Sequence, residues 1–227
     1  MATRGRPRLY PDAQTGWRER KRRQRYPTTR HVPASQTPGP YVTDLAALVA
    51  TGQRFGCIMA DPPWPYTNQA TRASTHRHYA TLSLEELAAL PLAALAAPQA
   101  HLHLWVTGAF LFDAAPLLAA WGFTYAGTSL IWAKPGMGTG NYWRQAHEQC
   151  LLGVRGGLTA QQRNLASWFT APRGAHSAKP DRARDLIEQL SPGPYLELFG
   201  REAVPGWTVW GNQCLPTTGR LFQERVG

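Results

Sequence analysis

The sequence predicts an α/β domain in which a mostly parallel sheet carries helices on both faces. Three observations lead there. Strand-like runs alternate with stretches of helical length. Gly56 to Ala60, within the apolar run Phe55 to Ala60, reads as a short buried strand. Asp181 to Leu190 is an amphipathic helix, preceded by Pro180 and ended by Ser191-Pro192-Gly193.

The elements follow in order from Tyr41. Asp44 to Ala50 reads as a short helical or turn segment ahead of the Gly56–Ala60 strand. Leu82 to Ala97 has a helical pattern broken by Pro91. His101 to Val106 reads as a strand, and Phe110 to Trp121 as a helix that tolerates or is kinked by Pro116. Thr128 to Ala133 and Gln149 to Val154 give two more strands, Tyr195 to Phe199 another, and Trp207 to Trp210 the last. We expect three regions: a basic flexible arm over residues 1–40, a catalytic domain over 41–215 and a short tail over 216–227.

The 227 residues suit one domain with tails, and 43% apolar content is enough for a core. Charge is uneven. Residues 1–31 hold ten basic and two acidic side chains, leaving fourteen against twelve for the rest. Within that arm Arg4-Gly5-Arg6-Pro7-Arg8 resembles an AT-hook, which lays arginines in a narrow minor groove; a solvated basic tail would also attract phosphate. Cys57, Cys150 and Cys214 lie far apart, which argues against a zinc site or a disulfide framework. No apolar stretch has transmembrane length and the arginine-rich start lacks a secretory signal's apolar core, so a soluble cytoplasmic protein is expected.

Asp61-Pro62-Pro63-Trp64 stands at the carboxyl end of the first buried strand, where open parallel sheets bind ligands. These residues suit chemistry on an aromatic amine. The lone pair of such an amine is delocalised into its ring and must be freed before it attacks. An Asp61 carboxylate taking one N–H and a Pro62 carbonyl taking the other would orient that lone pair. Consecutive prolines hold the carbonyl rigidly. Trp64 offers a face on which an extruded base could stack. The competing reading is a stiff turn with a packing tryptophan.

His101 and His103 fall on one face of their strand, as a metal pair would, but no third ligand is spaced nearby, and packing is the better reading. No metal is expected. His76 and His78 lie in a polar stretch suited to contact with substrate.

Beyond the clamp, the chain carries Leu104-Trp105-Val106-Thr107-Gly108, Ile131-Trp132-Ala133-Lys134, His147-Glu148 before a strand, Lys179-Pro180-Asp181, Leu190-Ser191-Pro192-Gly193, Glu197-Leu198-Phe199-Gly200-Arg201 and Gly211-Asn212-Gln213. In this order, from about Asp44 to Gln213, the set resembles the METTL-type (MT-A) family of N6-adenine methyltransferases, in its bacterial and phage branch. The resemblance implies a Rossmann-like class I methyltransferase fold, circularly permuted, because the clamp precedes the Glu197–Arg201 segment. It also implies S-adenosyl-L-methionine as methyl donor, which accounts for the missing dinucleotide glycine fingerprint.

By the same resemblance Asp44 and Leu45 hold the cofactor adenine. Arg201, Asn212 and Gln213 surround its ribose, with Glu197 and Phe199 on the same strand end, while Lys179 lines the donor pocket with Asp61. His78 and Tyr79 belong to a first active-site loop. Asn141, Trp143 and Arg144 belong to a second, whose glycines permit closure. His147 replaces a lysine of the messenger-RNA enzyme, so carboxylate binding falls to Lys179, Arg144 or a loop group.

The leading expectation is methylation of adenine N6 in DNA by direct in-line transfer, with nucleic acid as the partner. DNA is preferred to RNA because the chain is compact, lacks a recognisable RNA-binding module and carries the AT-hook-like segment. The alternatives are an RNA N6-adenosine methyltransferase and a catalytically inactive nucleic-acid-binding scaffold subunit. Cytosine N4 chemistry usually begins its clamp with serine, and cytosine C5 chemistry needs a cysteine beside a proline, which is absent.

Overall fold

A computed structural model describes residues 39–65, 81–138, 140, 142–174 and 178–211. The arm up to residue 38 with Arg4, Arg6 and Arg8, the loop positions His76, His78 and Tyr79, Asn141, the pair Asn212 and Gln213, and the tail 216–227 lie outside the described residues.

The chain runs β1 (Tyr41–Val42), α1 (Leu45–Ala50), β2 (Phe55–Ala60), α2 (Leu84–Ala88), α3 (Leu92–Leu95), β3 (Ala96–Val106), α4 (Leu111–Ala120), β4 (Thr124–Ala133), β5 (His147–Arg155), β6 (Trp168–Thr170), α5 (Asp181–Leu190), β7 (Tyr195–Leu198) and β8 (Trp207–Trp210). The strands form one sheet in the order β1-β8-β7-β2-β3-β5-β4-β6. β5 alone runs antiparallel to its neighbours β3 and β4; every other pairing is parallel.

All six residues of β2 are buried, as befits an internal strand covered on both faces. Its side chains divide between two cores. Phe55, Ile58 and Ala60 pack with Leu45 and Leu48 of α1, Leu87 of α2, Leu92 and Leu95 of α3, and Leu117 and Leu118 of α4. Cys57 and Met59 pack on the other face with Trp105, Trp132, Trp207 and with Ala183, Leu186 and Ile187 of α5. Gly56 lets the strand pass beneath the α5–β7 turn: a Cβ there would stand 2.7 Å from the Gly193 carbonyl oxygen and 2.8 Å from that of Pro192.

Local chemistry sets the helix ends. Asp44 caps α1, its Oδ1 accepting from the backbone N–H of Ala46 at 2.8 Å and of Ala47 at 3.1 Å. Ser83 and Glu86 form a reciprocal capping box on α2, with Glu86 N–H donating to Ser83 Oγ at 3.1 Å and Ser83 N–H to Glu86 Oε2 at 2.7 Å. Pro116 sits inside α4, where a proline costs about 3 kcal/mol. Burial of Ala114, Leu117 and Leu118 on the same helix offsets this at roughly 1.5–3 kcal/mol per large side chain, and the helix continues.

The structure moves several boundaries. The expected helical stretch Leu82–Ala97 becomes two short helices on either side of Pro91, and β3 starts at Ala96 rather than His101. Ala96 pairs with Phe55, and Ala100 with Arg155, so neighbouring strands hold this segment extended despite its alanines. β4 begins at Thr124, with a register shift between Tyr125 and Ser129 that the pattern did not reveal. The edge strands β1 and β6 were not read from the sequence. Both are two or three residues long and exist through their pairings with β8 and β4.

Candidate active site

Three neighbouring parallel strands end together. Ala60 of β2 lies opposite Leu198 of β7 on one side and Leu104 of β3 on the other, so Asp61, Phe199 and Trp105 follow at one edge of the sheet. Asp61 projects from there with its side chain 40% exposed, and Lys179 Nζ meets its Oδ2 at 2.5 Å. The same ammonium lies 3.3 Å from Glu148 Oε2, and the other oxygen of Glu148 bonds Lys134. Carboxylate and ammonium thus alternate through Asp61, Lys179, Glu148 and Lys134. Trp105 underlies the row, with Lys179 Nζ 5.3 Å from its ring centroid, and Lys134 Nζ lies 4.5 Å from that of Trp132.

The row is electrically self-consistent. Burial opposes the charge of Lys179, but Asp61 and Glu148 together outweigh it and raise the ammonium above its ordinary pKa. Burial likewise pushes the Glu148 carboxyl up, yet Lys179 foremost and then Lys134 bring it below the usual carboxylate range. Lys179 and Glu148 are therefore both held in their charged forms at neutral pH.

Glu148 and Lys134 belonged to quoted motifs but had no assigned role. Their signal was the β4–β5 register: Ala133 lies opposite His147 and Trp132 opposite Glu148, and the Lys134 N–H donates to the Ala146 carbonyl at 2.7 Å. That pairing sets Lys134 beside Glu148, whose other oxygen reaches the Lys179 ammonium.

Within the clamp, the Pro62 carbonyl accepts the Trp64 N–H at 2.9 Å, so one of its two lone pairs is committed and one remains for a substrate. Trp64 requires a correction. Its ring is only 4% exposed, lies 5.2 Å from and nearly parallel to Phe110, and donates its Nε1–H to the Trp105 carbonyl at 3.2 Å. No open face remains for an extruded base. The indole braces the ends of β2 and β3, because burying its large apolar area outweighs leaving it exposed.

Of the other expected cofactor residues, Glu197, Phe199 and Arg201 lie at the end of β7. Glu197 is buried and gripped at both oxygens by Arg184, from Nε at 2.9 Å and Nη2 at 3.0 Å, a partner the sequence did not suggest. Phe199 has a φ of 66°, a left-handed conformation that is uncommon for a bulky residue and turns the chain sharply off β7. Its ring meets Trp210 edge-on at 5.2 Å. Arg201 is exposed just beyond. Asp44 is engaged as the α1 cap, and Leu45 is buried in the core.

On the other side of the row lies a cleft of about 610 Å³, whose walls include Thr107, Gly108, Lys134, His147, Glu148 and Arg173. His147 is exposed there, as are Trp143 and Arg144 of the adjoining loop. The structure thus joins Asp61, Lys179 and the glutamate beside His147 at one sheet edge.

The histidine pair is structural. Ser191 Oγ lies 2.8 Å from both His101 Nδ1 and His103 Nε2, while His101 Nε2 reaches the Leu158 carbonyl at 3.1 Å. One proton arrangement satisfies all four groups: His101 donates to Leu158, Ser191 donates to His101, and His103 donates to Ser191. Among the described residues no group of His, Cys, Asp and Glu side chains is arranged to hold a metal, and no helix is long and apolar enough to cross a membrane.

Comparison with known proteins gives concordant similarities. The MT-A70 family pattern matches residues 55–213. The N(6)-adenosine-methyltransferase MT-A70-like protein of Drosophila melanogaster is 34% identical over 172 residues, covering 70% of this chain and 27% of that protein. The human N(6)-adenosine-methyltransferase catalytic subunit METTL3 is 32% identical over the same share of this chain and 28% of its own length. The type II methyltransferase M.MunI of a Mycoplasma species is 28% identical over 200 residues, covering 76% of this chain and 86% of that enzyme. The chain therefore spans about a quarter of the animal relatives and most of the bacterial one.

Proposed function

Because this chain belongs to the MT-A70 family, whose methyl donor is S-adenosylmethionine, we propose that it methylates the N6 amine of adenine in DNA by direct in-line transfer. The observation that carries the reading is the Asp61 carboxylate at the β2 end, half open to solvent and fixed on one oxygen by Lys179. Lys179 holds Oδ2, which leaves Oδ1 to accept one amine N–H. The second lone pair of the Pro62 carbonyl takes the other. Both acceptors are set before substrate arrives, so the amine meets an oriented field. The proton lost from nitrogen departs through the exposed Asp61 carboxylate.

The donor set suits the cofactor. A sulfonium and an amino-acid ammonium favour a carboxylate, as at Asp61, and an amino-acid carboxylate favours the Lys179 ammonium. Trp105 Nε1 is a buried donor without a protein partner among the described residues, at the same strand end. We assign Asp44, Leu45, Lys179, Glu197, Phe199, Arg201, Asn212 and Gln213 to the cofactor side, and His78, Tyr79, Asn141, Trp143, Arg144 and His147 to the substrate side. When bound, the cofactor supplies an electrophilic methyl group.

We also read the fold as circularly permuted. Counting from β7 through β8 to β1, β2 and β3 as one to five, the sheet order becomes 3-2-1-4-5, the doubly wound arrangement, and β7 and β2 flank its switch point. The ligand crevice of such sheets lies there.

DNA is favoured because this chain is matched along most of M.MunI, and the basic arm supplies sequence-independent attraction to phosphate. RNA is the second reading, favoured by the higher identity to the two N(6)-adenosine-methyltransferases. Labelled methyl transfer to matched single-stranded DNA, double-stranded DNA and RNA, followed by digestion to nucleosides, separates them. N6-methyl-deoxyadenosine supports the proposal, N6-methyladenosine from RNA replaces it with the second reading, and absence of both with confirmed cofactor binding points to a scaffold subunit.

A further inference from the structure

We propose that Trp143 is a wedge that fills the stacking gap left in double-stranded DNA when the target adenine enters the cleft. The inference rests on the reading of the site as an adenine methyltransferase and specifies how it engages a duplex.

The amine of a paired adenine lies inside the duplex, hydrogen-bonded to its partner base, whereas the Asp61 and Pro62 acceptors are fixed at a sheet edge. The base must leave the stack, and an enzyme that extrudes a base has to offset the lost stacking. A planar aromatic group inserted in its place does so. Trp64, Trp105, Trp121, Trp132 and Trp207 are all buried and committed to packing. Trp143, 86% exposed beside Tyr142 at 97%, is the most exposed tryptophan among the described residues.

Backbone geometry presents this pair. The Gly138 N–H donates to the Gln145 carbonyl at 3.1 Å, closing the base of the loop. A Cβ on Gly140 would stand 2.2 Å from the Trp143 carbonyl oxygen, so the chain folds back on itself as only glycine allows. Gly138, Gly140 and Gln145 line the cleft, while the adjoining rings face solvent. One loop therefore contributes both wall and wedge.

The surrounding charge selects a phosphate-bearing partner over an apolar protein surface. Arg144 follows Trp143 and is exposed. Arg173 is also exposed and lines the cleft, with its Nη2 2.8 Å from where a Gly138 Cβ would stand. One guanidinium thus adjoins the aromatic pair and a second stands at the base of the loop, where they can meet phosphates of the bound strand.

The test compares Trp143→Ala with the unmodified enzyme on two duplexes, one with the target adenine paired and one with it opposite an abasic site. On the paired duplex kcat/KM should fall about tenfold, and the defect should shrink several-fold on the unpaired target, whose extrusion costs less. Trp143→Phe should recover much of the loss. Tyr125→Ala, exposed at the opposite end of β4, serves as control. An equal loss on both duplexes, or none on the paired one, overturns the proposal. 2-Aminopurine at the target position reads extrusion without turnover. A fluorescence rise with unmodified protein that Trp143→Ala abolishes supports the wedge even if no methyl is transferred. The same rise with both proteins overturns it.

Discussion

Lys179 reaches Asp61 from 118 residues away and bonds its Oδ2 at 2.5 Å, so the carboxylate at the end of β2 is held by an ammonium from the segment before α5. The pair opens the alternating row, because Lys179 also contacts Glu148 at 3.3 Å. Asp61→Ala is expected to abolish methyl transfer while leaving the fold. Lys179→Ala should lower kcat by roughly a hundredfold, on the scale of losing one preorganised electrostatic contact. The double variant should be little worse than Asp61→Ala, since the two act as a unit. Single-turnover rates with the three variants check this; additive losses would show independent roles.

Trp64→Ala is expected to act first on stability. Removing a buried indole that spans β2, β3 and Phe110 should cost about 3–5 kcal/mol, whereas loss of an open stacking platform would leave the denaturation midpoint unchanged. Urea unfolding followed by circular dichroism distinguishes the two.

The His101–Ser191–His103 network makes stability fall with acidity. Burial, reinforced by the charge of neighbouring His101, brings His103 down to about 3 from an ordinary 6.5. Burial lowers His101 as well. The unfolded chain therefore binds protons first as pH falls below about 6.5, and each histidine kept neutral removes about 1.4 kcal/mol per pH unit. This loss continues toward pH 3 for His103, and the stability is fully present above 6.5. Between pH 6.5 and 5, before ordinary carboxylates titrate, His103→Asn should flatten the slope of unfolding free energy. An unchanged slope would show that His103 titrates normally in the folded state.

Deletion of residues 1–31 removes ten basic side chains and is expected to weaken DNA binding and reduce its salt dependence. Turnover on a saturating short duplex should change little. Binding isotherms across a salt series give the slope for each form, and equal slopes would place the electrostatic anchor elsewhere.

The place of Asp61 was legible because it is local. Asp61 and two prolines follow directly on an apolar run, and strand polarity puts them at the carboxyl end of β2. α5 and β8 were legible for the same reason, with helix-ending residues around Asp181–Leu190 and a compact β-prone run at Trp207–Trp210. What tertiary structure decided depends on residues distant in sequence. The resemblance put Lys179 and Asp61 in one pocket, but nothing in the order of residues says that the two bond directly, that Arg184 takes both oxygens of Glu197, or that Glu148 lies between two lysines. Those contacts arise from the order β7-β2-β3-β5-β4, which brings five segments to one edge. Trp64 shows the same limit in reverse. Its residue type announced an aromatic face, but only the packed neighbours Phe110 and Trp105 determine that this face is closed, because burial is a property of the assembled core.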